Sequence, residues 1–426
     1  MIKILVLSHT YILKPYRRKF EEIAKRFDNV KLRVVTPSRW LENFQNIVFE
    51  SDISASSKYR DFASPIYFSG YTSRFIYIRG IVTHFRDFKP DIIHFEEEPW
   101  SMCALQVLLL KKLFCPKSRL IFRTSLSIWM KQRFFMLPAW IEKLFFKETD
   151  MAFPLSDSAG EILRRKGYRG PLRPFPNGVD VQMFRKIDVS ELKSQLGLDG
   201  KFVIGYVGRL LRMKGLDTLL HAAAKLKGLE YRLLMLGRGD YKSNLVTLTE
   251  NLGISNKLCW IDAVPPEDVP RYINCMDVLV LPSLTTPGWV EFFGRVLVEA
   301  MACEVPVIGS DSGEIPNVIG DAGLIFHEGD ADDLRDKLLL LAHDENLQSE
   351  LAERGKKRAV EKYSWEQIAA DTYEVYTSLM TKQQDGKGAR ELDGKSREAG
   401  ARESGMARRQ EGKVRGKRAR GPYALS

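Results

Sequence analysis

The chain has 426 residues, of which 44% are hydrophobic, so it is long enough for two domains that each bury a full core. Its five cysteines are widely spaced and form no CxxC pair, which argues against a disulfide framework or a zinc site and favours a reducing compartment, the cytoplasm. No run approaches the roughly 18 apolar residues of a transmembrane helix, and the short N-terminal run suits a buried strand better than a signal peptide.

The first half of the chain alternates short apolar runs with segments of helical period. The runs that predict buried parallel strands span 2–8, 32–37, 91–96, 119–125 and 151–156. Between the first two, an apolar stripe from Phe20 to Phe27 predicts an amphipathic helix. The stretch from about 40 to 70 shows no periodic pattern, and we make no prediction for it.

After residue 184 the alternation begins again. The runs that predict strands now span 201–208, 231–237, 258–262, 278–283, 306–310 and 323–326. Two such series predict an α/β protein of two doubly wound, Rossmann-like domains facing a cleft, with ligands at the carboxyl ends of the strands. We assign the domains to 1–178 and 179–363, followed by an amphipathic helix at 364–381 and a tail at 382–426.

The C-terminal tail carries most of the positive charge. Residues 381–426 hold 13 Lys and Arg against 6 Asp and Glu, which leaves only +4 of the net charge of +11 to the rest of the chain. Because the segment has almost no large apolar residues, it cannot bury enough surface to fold, and we predict that it is disordered. Its charge could attract RNA or anionic lipid, or the tail could simply be solvated.

A glycine and two cations follow the first strand of the second series, in "YVGRLLRMKGLDTLL" (206–220). Gly208 permits a tight turn, and Arg209 and Lys214 lie where a helix begins with free N–H groups. This arrangement predicts an anion site. The spacing matches neither the dinucleotide GxGxxG pattern nor the Walker A pattern, so a solvated basic loop is the alternative.

Two carboxylates flank a loop-to-helix junction in "PGWVEFFGRVLVEAMAC" (287–303). Phe293 and Gly294 precede the predicted helix, so we expect Glu291 just before its N-terminus and Glu299 about two turns inside. Free N–H groups at that N-terminus would attract a diphosphate, and a buried Glu needs partners such as sugar hydroxyls. Either Glu could instead be an ordinary helix-terminal or surface charge.

Together, "GRLLRMKG", "VLVLPS" and the pair Glu291-x7-Glu299 resemble the retaining glycosyltransferases of family 4, which have the GT-B fold. The resemblance covers about residues 1–380. It implies that Arg209 and Lys214 bind the donor's pyrophosphate, that Glu291 contacts the donor sugar and that Glu299 binds the nucleotide ribose. It also implies that domain 1–178 holds the acceptor and that the helix at 364–381 crosses back to that domain.

This chain departs from the family pattern at three positions. Phe292 follows Glu291 where the family usually has glycine. Ser8, His9 and Thr10 follow the first strand where the family usually has a glycine pair. The strand at 119–125 carries Thr124 and its neighbours where the family often has a histidine.

Acidic residues follow a predicted strand in "HFEEEPWS" (94–101). Because this strand ends at the cleft, Glu96, Glu97 and Glu98 are candidates for binding acceptor hydroxyls or accepting a proton, and Thr124 is a further candidate for acceptor contact. The alternative is a negative loop before a helix that Ser101 caps. His94, inside the apolar run, is expected in the core.

Two further segments allow two interpretations each. The aromatic and basic segment 128–147 suits a membrane interface, or it is a helix whose rings face inward. The DxD-like pair Asp330 and Asp332 resembles a metal site, but we predict that it caps the next helix.

The function that these patterns favour is transfer of a sugar from a nucleotide-diphosphate donor to an acceptor hydroxyl, in polysaccharide or lipid-linked glycan synthesis. We expect no metal or other cofactor and no specific nucleic acid partner. The expected location is the cytoplasm, with a peripheral contact to an anionic membrane. Two alternatives stay open: a nucleotide-sugar epimerase, which would consume donor without an acceptor, and a nucleic-acid-binding protein acting through the tail.

Overall fold

The computed structural model describes residues 1–42, 45–50, 58–124 and 137–385. The predicted basic tail beyond residue 385 lies outside these ranges, and so does the first half of the aromatic and basic segment, up to residue 136.

Strands and helices alternate along both halves of the described chain. The strands are β1 (Ile2–Leu7), β2 (Val30–Pro37), β3 (Arg39–Glu42), β4 (Gln45–Val48), β5 (Tyr59–Ser64), β6 (Ile66–Tyr67), β7 (Ile76–Tyr77), β8 (Ile92–Phe95), β9 (Arg119–Thr124), β10 (Met151–Pro154), β11 (Phe202–Val207), β12 (Tyr231–Leu236), β13 (Leu258–Ile261), β14 (Val278–Leu281), β15 (Val307–Ser310) and β16 (Gly323–Phe326). The helices are α1 (Arg18–Arg26), α2 (Ile81–Arg86), α3 (Met102–Phe114), α4 (Leu137–Glu148), α5 (Asp157–Arg165), α6 (Ser190–Gln195), α7 (Leu216–Ala224), α8 (Lys242–Asn251), α9 (Val269–Ile273), α10 (Arg295–Ala302), α11 (Ile315–Ile319), α12 (Ala331–Ala342), α13 (Glu345–Arg358) and α14 (Trp365–Asp385).

Two six-stranded sheets organise the molecule, and both have the same topology. The first has the strand order β10-β9-β8-β1-β2-β5 and the second β13-β12-β11-β14-β15-β16. All neighbouring strands within each sheet are parallel. In each sheet the chain starts in the middle, winds to one edge and returns to build the other. The predicted fold class, two doubly wound Rossmann-like domains, is confirmed.

The predicted strands are all present, and most are buried as expected of parallel strands covered on both faces. The stretch from about 40 to 70, for which we made no prediction, contains an additional parallel strand, β5, at the edge of the first sheet. Its sequence, YRDFAS, alternates only weakly because an edge strand is partly solvated. Two short antiparallel pairs, β3–β4 and β6–β7, lie outside the sheets.

Separate apolar clusters cover the two faces of the first sheet. Helices α2, α3 and α4 bury residues such as Phe85, Val107 and Phe145 on one face. The other face is covered by α1 together with α14, which contributes Ile368 and Tyr376. Helix α14, the last one in the described residues, therefore belongs to the N-terminal domain.

The contact between α14 and the N-terminal domain is specific. The ring of Tyr373 stacks on Phe27 at 3.6 Å between centroids, and Tyr376 Oη lies 2.5 Å from Nδ1 of His94. His94 is fully buried, as predicted for a core histidine, and burial lowers its pKa to about 4. Across the described ranges, every helix is too short or too polar to span a bilayer.

The chain passes between the domains twice, and the two passages lie side by side. The Val179 N–H donates to the carbonyl of Tyr363 at 2.8 Å, and the Trp365 N–H donates to the carbonyl of Val179 at 3.1 Å. The domains are thus joined by two hydrogen-bonded segments.

Candidate functional site

The carboxyl ends of the central strands face a cleft between the domains. In a doubly wound sheet this is where the strand order reverses and where ligands bind. Two contacts cross the cleft: Arg295 of α10 stacks over the ring of Tyr16 at 5.0 Å, and Ser158 of α5 donates to the carboxylate of Glu314. In the described residues, the points at which the strand order reverses in the two sheets therefore face the same cleft.

A buried ion pair marks the C-terminal side of the cleft. Lys214 Nζ lies 2.5 Å from Oε2 of Glu291, and Ser283 Oγ donates to the same oxygen at 2.8 Å. The two charged side chains are only 13% and 10% exposed. Lys214 Nζ also lies 4.8 Å from the centre of the Trp289 ring, a distance typical of a cation–π contact. Two motifs 77 positions apart therefore form one site.

Two glycines allow the loops of this site to approach each other. Gly215, directly after Lys214, has φ +65°, and a Cβ there would lie 1.9 Å from the carbonyl oxygen of Pro282 at the end of β14. Gly313 has φ +57°, and its Cβ would lie 2.3 Å from the carbonyl oxygen of Glu291. Any other residue would push the Lys214 and Glu291 loops off the strand ends.

The predicted anion-binding residues lie beside this pair. Gly208 directly follows β11 and Arg209 comes next; the Arg209 carbonyl accepts a hydrogen bond from Tyr206 Oη at 2.8 Å. The Arg209 side chain is exposed and makes no hydrogen bond or ion pair within the described residues. It is therefore available to an anion in the cleft.

Helix α10 begins at Arg295, directly after the predicted turn. Gly294 has φ +73°, and buried Phe293 packs edge-on against Tyr363 with ring centres 5.6 Å apart. The helix begins where it was predicted, but Glu299 lies about one turn inside it rather than two, because it comes only four residues after Arg295. Free N–H groups of the first turn remain for a ligand.

Glu299 is the acid without a protein partner in this half of the site. Its carboxylate makes no hydrogen bond within the described residues, and burial raises its pKa to about 7, against the opposing effect of Arg295. A buried carboxyl needs donors to satisfy its oxygens. Its neighbourhood thus suits a ligand that supplies hydroxyl groups.

The N-terminal side of the cleft contains a cavity of about 630 Å³. His9 lines it directly after β1, with its ring 4.4 Å from that of Trp40. His9 Nδ1 lies 2.7 and 2.8 Å from the two carboxylate oxygens of Glu97, which also accepts the backbone N–H of His9. The Glu97 side chain is only 2% exposed, so it holds the imidazole from behind.

Glu96, Glu97 and Glu98 have three different environments. Burial would raise the pKa of Glu96, but Lys19, with His94 and Arg123, holds it well below its usual range. For Glu98, burial raises the pKa to about 7 although Thr124 Oγ1 donates to its Oε2 at 2.9 Å.

Of the candidate acceptor residues, Glu96 lines this cavity, whereas Glu97, Glu98 and Thr124 do not. Glu97 is separated from the cavity only by the His9 side chain that it contacts. Glu98 and Thr124 are paired with each other. Sequence reasoning missed His9 as a site residue. The signal was available: a polar triplet ends the first strand of the first sheet, as Gly208 and Arg209 end the first strand of the second.

Asp330 and Asp332 lie at the start of helix α12. Asp330 Oδ1 accepts the N–H groups of Asp332 and Asp333 at 2.9 and 3.0 Å, which confirms the predicted helix cap. Ser101 likewise caps α3 by accepting the Ala104 N–H at 3.1 Å. Within the described ranges, no group of three or more His, Cys, Asp or Glu is arranged to hold a metal ion.

Solved structures with the same two-sheet architecture define the fold as GT-B. Sucrose-phosphate synthase from Thermosynechococcus elongatus aligns with a TM-score of 0.66 and 20% identity, covering 89% of this chain and 100% of that one. HepE from Anabaena in complex with UDP aligns with a TM-score of 0.67 and 18% identity, with the same coverage. At these identities the likeness establishes the fold alone.

The C-terminal domain matches a family of known sequences. Residues 188–358 match the model of the family described as glycosyl transferases group 1. The N-acetyl-alpha-D-glucosaminyl L-malate synthase of Bacillus anthracis is 28% identical over 215 residues, 50% of this chain and 55% of that protein. The capsular polysaccharide biosynthesis glycosyltransferase CapM of Staphylococcus aureus is 30% identical over 222 residues, with the same coverage. The chain thus spans about half the length of these curated relatives.

Proposed function

We propose that this protein is a retaining glycosyltransferase that moves a sugar from a nucleotide-diphosphate donor to an acceptor hydroxyl. The observation that carries the proposal is the buried Lys214–Glu291 pair at the strand ends of a group 1 glycosyltransferase domain. The solved HepE complexes, which hold UDP and UDP-glucose, support a nucleotide sugar as the donor.

The donor lies along the C-terminal side of the cleft. Arg209 and Lys214 bind its diphosphate, with the N–H groups at Phe293 and Gly294 completing the anion site. Glu299 accepts the two ribose hydroxyls, which supply the donors that its carboxylate lacks in the protein. Glu291, adjacent to Lys214, contacts hydroxyls of the donor sugar.

Catalysis depends on stabilising the departing diphosphate. As the bond between sugar and diphosphate breaks, negative charge develops on the leaving oxygen. Arg209 and Lys214 meet that charge, and preorganised contacts of this kind are typically worth about 3 kcal/mol each. We propose that the acceptor attacks from the face that the diphosphate leaves, which retains the configuration. These two cations do the electrostatic work in the proposal, which therefore includes no metal requirement.

The acceptor occupies the 630 Å³ cavity on the N-terminal side. There, His9 forms a hydrogen bond with the acceptor hydroxyl, and Glu97 acts as a positioning residue that fixes the orientation of the imidazole ring. Glu98 and Thr124 support this wall. We propose an acceptor from polysaccharide or lipid-linked glycan synthesis and a location at the cytoplasmic face of an anionic membrane.

A donor panel tests the proposal. Purified protein is incubated with uridine, guanosine and adenosine diphosphate sugars, with and without membrane extract, and release of the nucleoside diphosphate is measured. We expect one donor to be consumed faster when extract is present, and Lys214→Ala to abolish that increase. Consumption at the same rate without any acceptor, with a second nucleotide sugar as product, would instead identify an epimerase.

A further inference from the structure

The helix layer of the N-terminal domain carries unusually exposed apolar side chains. On α3, Leu109 is 53% exposed and Leu113 is 72% exposed. On α4, Leu137 is 54% exposed and Trp140 is 55% exposed. The spacing of each pair, four and three residues, puts its members on one face of their helix. Clustered exposed residues of this size mark an interaction surface.

The two stripes lie on the same side of the domain. α3 and α4 contact each other, and both bury their opposite faces in one apolar cluster on the first sheet, through Val107 and Leu108 of α3 and Ile141 and Phe145 of α4. The exposed leucines and Trp140 therefore face away from the sheet. We call these four residues, together with Lys112, Lys143 and Lys147, the α3–α4 face.

The charge of the α3–α4 face is positive. Helix α3 contains no acidic residue and has buried Lys111 and exposed Lys112 in its last turn, and α4 carries the exposed Lys143 and Lys147. The two acids of α4 are already paired with lysines. Glu142 pairs with Lys166 at 2.6 Å, and Glu148 lies 3.7 and 3.5 Å from Lys111 and Lys112.

These charges select among possible occupants. A second copy of this face would bring lysines against lysines. The chain's own basic tail has the same sign and few apolar residues. An anionic bilayer fits both the exposed apolar side chains and the positive charge. Leucine and tryptophan side chains insert at the boundary between headgroups and acyl chains, and the neighbouring lysines meet the anionic headgroups.

We propose that the α3–α4 face docks this protein on an anionic lipid bilayer, with Leu109, Leu113, Leu137 and Trp140 inserted and Lys112, Lys143 and Lys147 at the headgroups. The choice of a lipid partner rests on the proposed function, in which the acceptor is lipid-linked. The docking surface lies in the acceptor domain, so a docked protein holds that domain at the membrane.

Vesicle sedimentation of the full chain tests the proposal. The probes are vesicles of phosphatidylglycerol mixed with phosphatidylcholine, and vesicles of phosphatidylcholine alone. We expect the wild type to bind the mixed vesicles and to keep part of this binding in high salt, because apolar insertion is not screened. The double variant Leu113→Ser, Trp140→Ser should lose at least about tenfold in partitioning.

A matched control removes an equally exposed leucine elsewhere. Leu340→Ser on α12 of the C-terminal domain, where the wild-type residue is 49% exposed, should bind like the wild type. The proposal is overturned if the wild type does not sediment, if the double variant sediments unchanged, or if the control loses as much. It is also overturned if the double variant abolishes self-association measured without vesicles, because the face would then be a dimer interface.

A separate assay keeps this proposal apart from the proposed function. Nucleoside diphosphate release with a water-soluble acceptor should be equal in the wild type and the double variant, since neither changed residue lines the cleft cavity. Vesicle binding without donor turnover would contradict the proposed function and support docking, and turnover without vesicle binding would do the reverse.

Discussion

The two domains share one architecture and differ in what their surfaces offer. Both are six-stranded parallel sheets wound in the same order, and both present polar residues at the end of their first strand, His9 in one and Arg209 in the other. Among the described residues, the large hydrophobic side chains that are exposed nearly all lie before residue 150; Leu340 and Val360 are the exceptions. The fold fixes where each site lies, and the side chains fix which partner it meets.

The two domains also differ in how the acidic side chains at the cleft are paired. In the C-terminal domain, Lys214 pairs with Glu291, and a further acid, Glu299, has no hydrogen-bond partner in the described chain. In the N-terminal domain, Lys19 is paired with Glu96, and Glu97 with His9. In the described chain, one acid of the C-terminal domain thus has no hydrogen bond, whereas Glu96 and Glu97 of the N-terminal domain are both paired. We expect variants on the two sides to separate donor binding from acceptor use.

The largest effect is expected from the C-terminal cations. Lys214→Ala should lower turnover about 100-fold and Arg209→Ala at least about tenfold, because each removes a charge that stabilises the leaving diphosphate. Turnover is measured at saturating donor, with a thermal melt to verify folding. Lys225→Ala, which removes an exposed lysine paired with Asp332 in the same domain, is the control and should be unchanged. Wild-type turnover in Lys214→Ala would contradict the diphosphate site.

The two C-terminal acids should separate rate from affinity. Glu291→Gln should lower turnover about tenfold or more while leaving nucleoside diphosphate affinity almost intact, since its partner is the sugar. Glu299→Gln should weaken that affinity about tenfold, since it loses charge-assisted bonds to the ribose. Titration calorimetry with the free nucleoside diphosphate measures the second effect, and the opposite pattern would mean that the roles are exchanged.

The N-terminal pair should affect acceptor use alone. We expect His9→Asn to reduce transfer about tenfold with unchanged nucleotide affinity. Glu97→Gln should cost less, because the amide can still accept a hydrogen bond from Nδ1 although it no longer stabilises a positive ring. The measurement is transfer rate against acceptor concentration, with donor hydrolysis as the reference. Weakened nucleotide binding in His9→Asn would contradict the assignment of the acceptor to the N-terminal side and the donor to the C-terminal side.

Glu299 also predicts a pH dependence on the donor side. Burial raises its pKa to about 7, and in the proposed role the ionised form would accept the ribose hydroxyls best. Affinity for the nucleoside diphosphate should therefore rise about threefold as the pH increases through this pKa. Because the diphosphate titrates too, Glu299→Gln is the reference, and the component due to Glu299 is the part of the slope that it removes. Equal slopes in both proteins would exclude this role for Glu299.

The smallest effect is expected at the DxD-like pair. Asp330→Ala should lower the free energy of unfolding by about 1 kcal/mol, through loss of a helix cap, without changing turnover. EDTA should likewise leave turnover almost unchanged. Loss of activity with EDTA that Mn²⁺ or Mg²⁺ restores would show that the enzyme needs a metal.

The sequence predicts those features that depend on local patterns. Buried parallel strands are continuous apolar runs, so the strands of both sheets are recognisable individually. The pairing of Lys214 with Glu291 is accessible only through the family resemblance, because two distant loops meet through the order of the strands. Edge strand β5 was missed, since its solvated face breaks the apolar run.

Glu96, Glu97 and Glu98 show most clearly what cannot be predicted from the sequence. In the sequence they are equivalent members of one acidic loop at a strand end. In the structure the first is held ionised by Lys19, the second orients His9, and the third has its pKa raised by burial. These differences come from side chains contributed by other elements, which no local pattern encodes.

The return of α14 to the first sheet affects how the protein is made. A ribosome delivers the N-terminus first, and residues 365–385 emerge only after the whole second sheet. Until then one face of the first sheet, which includes Ile4 and Val6, has only part of its helical cover. The domain that begins first is thus the last to be completed, and a nascent chain released before α14 would expose that uncovered face to aggregation.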